Sequence, residues 1–378
     1  MCNKIVVASD SFKGSLTSLQ VAQNVERAVL GIYPSCQVVK VNVADGGEGT
    51  MDALQQTLGG RKVTLSVSDP LGRPVNASYV ILDDGITAVL EMSAASGLPL
   101  LAPEERNPSK TSTLGTGELI CDALAQGCRK FLVGIGGSAT NDAGMGMLHA
   151  LGYRFKDASG NELSPVGGSM VQVASIDASS RHPELSDAEF IVACDVKAPL
   201  YGPDGAAYVF APQKGADKVM VEALDEGLRH FSSVCAEAMG YDCSALEGSG
   251  AAGGLGYAFR QFLGARLERG VEMVLDAIHF DDMIRGADLV ITGEGRVDSQ
   301  TLTGKTPYGV AQRALSQGIP VVAIGGSVAI GQQTARLAGF KDALQVTPAG
   351  MPLQEAMKPE VVGENVYQTI MLLLKKYE

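Results

Sequence analysis

The residues of this chain that could do chemistry gather in four short segments. Residues 9–15 read SDSFKGS, 44–50 read ADGGEGT, 134–144 read GIGGSATNDAG and 293–306 read GEGRVDSQTLTGKT. Each follows an apolar run and combines Gly and small polar residues with carboxylates. In an open parallel sheet, ligands lie outside the carboxyl ends of the strands, so loops that follow strands are where a site belongs. Gly and Asp are also ordinary turn formers. One such loop would mean little, whereas four in one chain point to a site. Their content suits phosphoryl transfer. Mg2+ takes one or two carboxylates plus phosphates, an alcohol acceptor needs a carboxylate to receive its proton, and a cation must hold charge on the transferred group. Asp10, Asp45, Glu48, Asp142, Asp195, Glu294 and Asp298 are the candidate acids. Lys13, Lys197, Lys214, Arg296 and Lys305 are the candidate cations, with Lys197 and Lys214 equally compatible with a solvated surface. Glu294, Arg296 and Asp298 alternate within one loop, so they need not face one way.

Several short motifs compete with this reading. Gly304-Lys305-Thr306 is the tail of a P-loop, but the motif requires Gly at position 299, where Ser299 stands. The apolar run 288–292 also ends too far upstream. GSGAAG at 248–253 matches a dinucleotide fingerprint but follows no strand. GIGGSA at 134–139 does follow one, yet no second strand ending in an acid appears about 20 residues later. A nicotinamide-dependent hydroxyacid dehydrogenase is thus the alternative enzyme class, and a non-catalytic acid-binding protein a third reading. No G-x-S-x-G elbow is present, and the four histidines lie outside these loops.

The elements that must position the loops are legible from periodicity. Residues 5–8 read as a buried strand. Thr17 and Gln20 form a capping box for a helix carrying Val21, Val25, Ala28 and Val29 at helical spacing. A strand at 37–43 and a helix at 51–58 continue a βαβα pattern. Residues 62–93 hold short apolar runs split by Pro-Leu-Gly and Asp-Asp-Gly, which are hairpin signals. A helix at 117–126 and a strand at 130–134 follow, then hairpin-like text over 155–211 and helices near 218–239 and 255–263. From 287 the parallel pattern returns, with helices at 308–316 and 361–376. The expected fold is α/β in two domains. A Rossmann-like parallel-sheet domain is built from both chain ends (1–66 plus 281–378), with an inserted mixed α+β domain (67–280). The unit 112–150 is compatible with either.

Composition bounds the class. At 378 residues two domains are the prior. With 19% charged residues the chain is not disordered, and its 46 glycines cluster after apolar runs rather than at a fixed period. A net charge of −12 argues against a nucleic-acid or anionic-membrane surface. The cysteines form no Cys-x-x-Cys pair and read as thiols of a reducing compartment. No stretch is long enough for a membrane span, the first residues lack a signal-peptide apolar run, and a cytoplasmic protein is expected. The composition is compatible with an oligomer.

Taken together, ASDSFKGSL, ADGGEGT, GIGGSATNDAG, ACDVKAPLYGPDGAA, FAPQKGA, GSGAAGGLGYA and ITGEGRVDSQTLTGKTPYGVA closely resemble the bacterial type I glycerate kinase family, in order and across essentially the whole chain. The resemblance implies ATP-dependent phosphorylation of D-glycerate with Mg2+, generally at the 2-hydroxyl and in other glycerate kinases at the 3-hydroxyl. It also implies two α/β domains with the site in the cleft between them. It marks motif positions, to which chemistry assigns roles. Lys13 and Arg296 would hold the glycerate carboxylate or the moving phosphoryl group. Asp195 or Asp298 would accept the hydroxyl proton. Asp45, Glu48 and Glu294 would ligate Mg2+, and Gly136, Gly137, Ser138, Asn141 and Lys305 would contact the nucleotide phosphates.

Overall fold

The computed structural model describes residues 3–47 and 49–376. In chain order its strands are β1 (Lys4–Ser9), β2 (Gln37–Lys40), β3 (Arg61–Ser68), β4 (Pro74–Ile81), β5 (Thr87–Glu91), β6 (Lys130–Gly134), β7 (Arg154–Lys156), β8 (Ser175–Asp177), β9 (Glu189–Ala193), β10 (Arg266–Glu268), β11 (Leu289–Val297), β12 (Val321–Val328) and β13 (Asp342–Gln345). They divide between two compact units. One comprises residues up to 45, 52–57 and 271 onward; the other comprises 46–51 and 58–270.

The first unit carries a five-stranded sheet in the order β13-β12-β11-β1-β2. Every pairing is parallel. Such strands are covered on both faces and read as continuous apolar runs, as Ile5, Val6, Val7 and Ala8 do; all four are fully buried. The chain steps outward from β1 to β2, returns to β11 beside β1, and then steps the other way to β12 and β13. The order reverses between β1 and β11, and ligands bind in the crevice at such a switch point. The helix Ser18–Ile32 has its capping box in place: Gln20 N donates to Thr17 Oγ1, and Thr17 N donates to Gln20 Oε1. Its buried face of Val21, Val25, Ala28 and Val29 shares a core with Val362, Val366 and Ile370 of the helix Pro359–Lys376.

The second unit carries a six-stranded mixed sheet, β10-β9-β6-β5-β4-β3. β3, β4 and β5 are antiparallel, while β5, β6, β9 and β10 run parallel. The first hairpin turn is held by Asp69, whose Oδ1 accepts from Leu71 N at 2.8 Å and Arg73 N at 2.9 Å. Between 155 and 211 the antiparallel pairings are β7 with β8 and a single bridge between Lys156 and Glu162. The hairpin-like text beyond them is not a hairpin: β9 joins the sheet parallel to β6. Its FIVA run is buried, as a central parallel strand requires, and a short apolar run cannot show its partner's direction.

Candidate active site

β11 runs five residues past the apolar stretch the sequence suggested, to Val297, because it stays paired with β12 as far as Val328. The segment GEGRV looked like a loop because of its glycines. In the sheet Gly293, with Gly326 of β12, allows close approach. A Cβ on Gly293 would collide with Ile324 O, and one on Gly326 would lie 2.7 Å from Gly295 O. The extension corrects the expected orientation as well. On a strand, residues two apart share a face, so Glu294 and Arg296 point the same way, and both line one cavity.

That cavity has a volume of about 550 Å3 and lies wholly within the first unit. Asp10, Lys13, Asp45, Glu294, Arg296, Asp298 and Lys305 all line it. β1 delivers Asp10, whose N donates to Gly293 O at 2.9 Å, fixing the end of β1 against β11. Its Oδ1 accepts from Ser11 N at 2.6 Å. Burial, and then the nearby Asp45, push the Asp10 carboxyl up to about 6. Phe12 is buried and bonds backbone-to-backbone with Leu16 in both directions. This closes a tight turn that leaves Lys13 exposed. Glu294 is buried. Its Oε1 accepts from Thr301 Oγ1 at 2.5 Å, and its Oε2 lies 3.8 Å from Lys305 Nζ. Burial raises its carboxyl, against the hydrogen bond from Thr301 and the charge of Lys305. Arg296 Nε lies 3.2 Å from Asp298 Oδ2, and Asp298 Oδ1 accepts from Gln300 N at 2.9 Å. Lys305 is the N-cap of the helix Thr306–Ser316. The GKT tail therefore does open a helix, but eight residues after β11 ends and without the P-loop glycine.

The other expected residues belong to the second unit. The loop after β6 exposes Gly136 and Gly137, the latter at φ +74°, where Gly is favoured. Ser138 and Asn141 are buried, and Asn141 has no hydrogen-bond partner at Oδ1 or Nδ2. Asp195 is exposed after β9 and accepts from Gly270 N at 3.4 Å. Glu48 lies outside the described residues.

Two residues named only as candidates changed character. Lys214 is not a surface charge. It is fully buried, and its Nζ donates to Ser138 Oγ and Thr140 O, each at 2.7 Å. Burial pushes it down to about 7, with Asp142 acting in the opposite direction. A lysine in a single turn between Pro212 and Gly215 has no periodicity that could reveal its burial. Asp142 is likewise fully buried, accepting from Thr113 N, Thr113 Oγ1, Gly144 N and Gly146 N at 2.8–3.2 Å. A carboxylate enclosed by four donors organises its loop. It is not placed to exchange protons with a ligand. The helix after this loop starts only at Met145, so the glycines of GIGGSA do not open it as a dinucleotide fingerprint demands.

The arrangement can hold anions and a divalent cation. Lys13, Arg296 and Lys305 supply positive charge at one cavity. Asp10 and Asp45 are close enough to repel, which a bound cation would relieve. Among the described residues no group of three or more His, Cys, Asp or Glu could hold a metal ion. Mg2+ bound with phosphate needs only one or two carboxylates.

The model of the glycerate kinase family matches residues 5–375. The chain belongs to the glycerate kinase family. It is 47% identical to the glycerate kinase of Bacillus subtilis (strain 168), over 94% of this chain and 93% of that one. It is 48% identical to the glycerate 2-kinase of Escherichia coli (strain K12), over 86% and 85%. The crystal structure of a provisionally named glycerate kinase 2 from Salmonella typhimurium LT2 is similar over 100% of this chain and 98% of that one, with TM-score 0.91 and 44% identity. As a glycerate kinase family member, the chain is an enzyme, a phosphotransferase with an alcohol group as acceptor. Its α/β fold, with one parallel and one mixed sheet, is that of its structural neighbour. Among the described residues no helix is long and apolar enough to cross a membrane.

Proposed function

We propose that the chain is an ATP- and Mg2+-dependent kinase of D-glycerate that forms 2-phosphoglycerate in the cytoplasm. The observation that carries this reading is the convergence of three cations and four carboxylates on one cavity at the β1/β11 switch point. Lys13 and Arg296 hold the glycerate carboxylate or the phosphoryl group in transit. Arg296 can do so with two parallel N–H donors. Asp298 receives the hydroxyl proton; its pairing with Arg296 and Gln300 N fixes the carboxylate's direction. Asp195 of the second unit is the alternative base. Asp45 and Glu294, with Glu48 and now Asp10, are the groups that would hold Mg2+, which when bound neutralises charge on the phosphates. Lys305 stands at a helix N-terminus, where phosphate is favoured. In the second unit Gly136, Gly137 and Ser138 offer donors to phosphate, and Asn141 contributes two buried polar atoms that a ligand would satisfy.

The E. coli relative is named a glycerate 2-kinase, which supports the 2-hydroxyl over the 3-hydroxyl. The dehydrogenase alternative loses support with the geometry of the loop after β6. The test is ADP release in the presence of ATP, Mg2+ and D-glycerate, repeated with EDTA and with L-glycerate. Release that needs D-glycerate and stops with EDTA supports the reading. Release that ignores glycerate contradicts it.

A further inference from the structure

The cavity in the first unit is larger and less polar than its acceptor requires. Every carbon of glycerate carries oxygen, so the molecule has no apolar face to bury, and neither has a polyphosphate. Yet Phe12, Met351, Leu353, Ala356, Met357 and Val362 line the same cavity as the charged residues. Phe12, Ala356 and Val362 are buried, while Leu353 is 75% exposed and Met357 is 38% exposed. Large apolar side chains left open at a cavity mouth mark a surface that something apolar covers. Methionines suit a flat aromatic partner, because the thioether is flexible and polarisable. Gln345 and Thr347 line the cavity too, and the Gln345 amide is held by Val328 N at 3.3 Å and Thr347 O at 2.8 Å. A fixed amide beside an apolar wall can read the edge of a heterocycle.

We propose that this apolar wall of the first unit binds the adenine base of the phosphoryl donor. The inference rests on the kinase reading and adds the location of the base. A nucleotide is the one reactant of a kinase with an aromatic face. Its base and phosphates are covalently joined, and this wall lines the same cavity as Lys13 and Lys305.

The test compares ADP with tripolyphosphate, which has the charge and no base. Binding of each is measured by calorimetry to the full chain and to the neutral double variant Met351→Ser/Leu353→Ser, with thermal melting as the check on folding. Both side chains are at least partly exposed. Leu353→Ser alone serves if the double variant melts early. The expected result is ADP weakened about tenfold or more with tripolyphosphate unchanged. Unchanged ADP affinity in a variant of an enzyme that still turns over glycerate overturns the inference and spares the kinase reading. Equal weakening of both ligands also overturns it. An unmodified chain that binds neither ligand and releases no ADP sinks both readings.

Discussion

Asp298 and Asp10 line the same cavity but carry different expectations. Asp298 is oriented by Arg296 and by Gln300 N. In the proposed role it acts only as the proton moves. Asp298→Asn should therefore lower kcat about a hundredfold or more while KM changes little. Steady-state kinetics decide it, since an unchanged kcat would remove Asp298 from the reaction. Asp10 bears on stability as well. Its carboxyl is raised from 3.8 to about 6 by burial and by Asp45. Between those values the folded protein keeps a proton that the unfolded chain has lost. The stabilisation from that proton is complete below 3.8 and is lost as pH rises through about 6, leaving an ionised Asp10 that costs about 3 kcal/mol near neutral pH. Asp10→Asn, which imitates the neutral form, should melt higher than the parent near neutral pH in Mg2+-free buffer. That advantage should vanish in acid, and the variant should be inactive. An equal Tm difference at every pH would contradict the assignment.

At the scale of elements, the strongest expectation concerns the loop after β6. Asp142 accepts four hydrogen bonds and donates none. Asp142→Asn turns an NH2 group toward donors and should cost about 2–3 kcal/mol, read as a lower thermal midpoint. A variant as stable as the parent would show that the four bonds do not hold this loop. The same region shows what the sequence could and could not disclose. The capping box at Thr17, the buried run of β1 and the turns that join β3, β4 and β5 were legible because each is a local signal. So was the link between loops and strand ends, since Asp10 and Glu294 follow apolar runs. The extension of β11 was hidden, because glycines that break an isolated strand are required where β11 and β12 approach closely. The parallel placement of β9 was hidden for a related reason: its partner β6 lies more than fifty residues away along the chain. The burial of Lys214 depends on Ser138 and Thr140, which are equally remote in sequence.

For the molecule as a whole, charge and site must be reconciled. An acidic protein is proposed to bind two anionic reactants. The net charge of −12 belongs to the whole chain, whereas Lys13, Arg296 and Lys305 act at short range at one cavity. Lys13 and Arg296 are exposed, so raising ionic strength should weaken glycerate binding. KM measured across a salt series would show it, and a KM that ignores salt would place the decisive contacts on enclosed groups instead. The fold gives the site its position through the order reversal between β1 and β11. The product decides the reaction. Phosphorus NMR of a reaction containing ATP, Mg2+ and D-glycerate measures it most directly. ADP and 2-phosphoglycerate should appear together and in equal amounts. ATP that stays intact in the presence of D-glycerate, or ADP formed with only inorganic phosphate beside it, would contradict it.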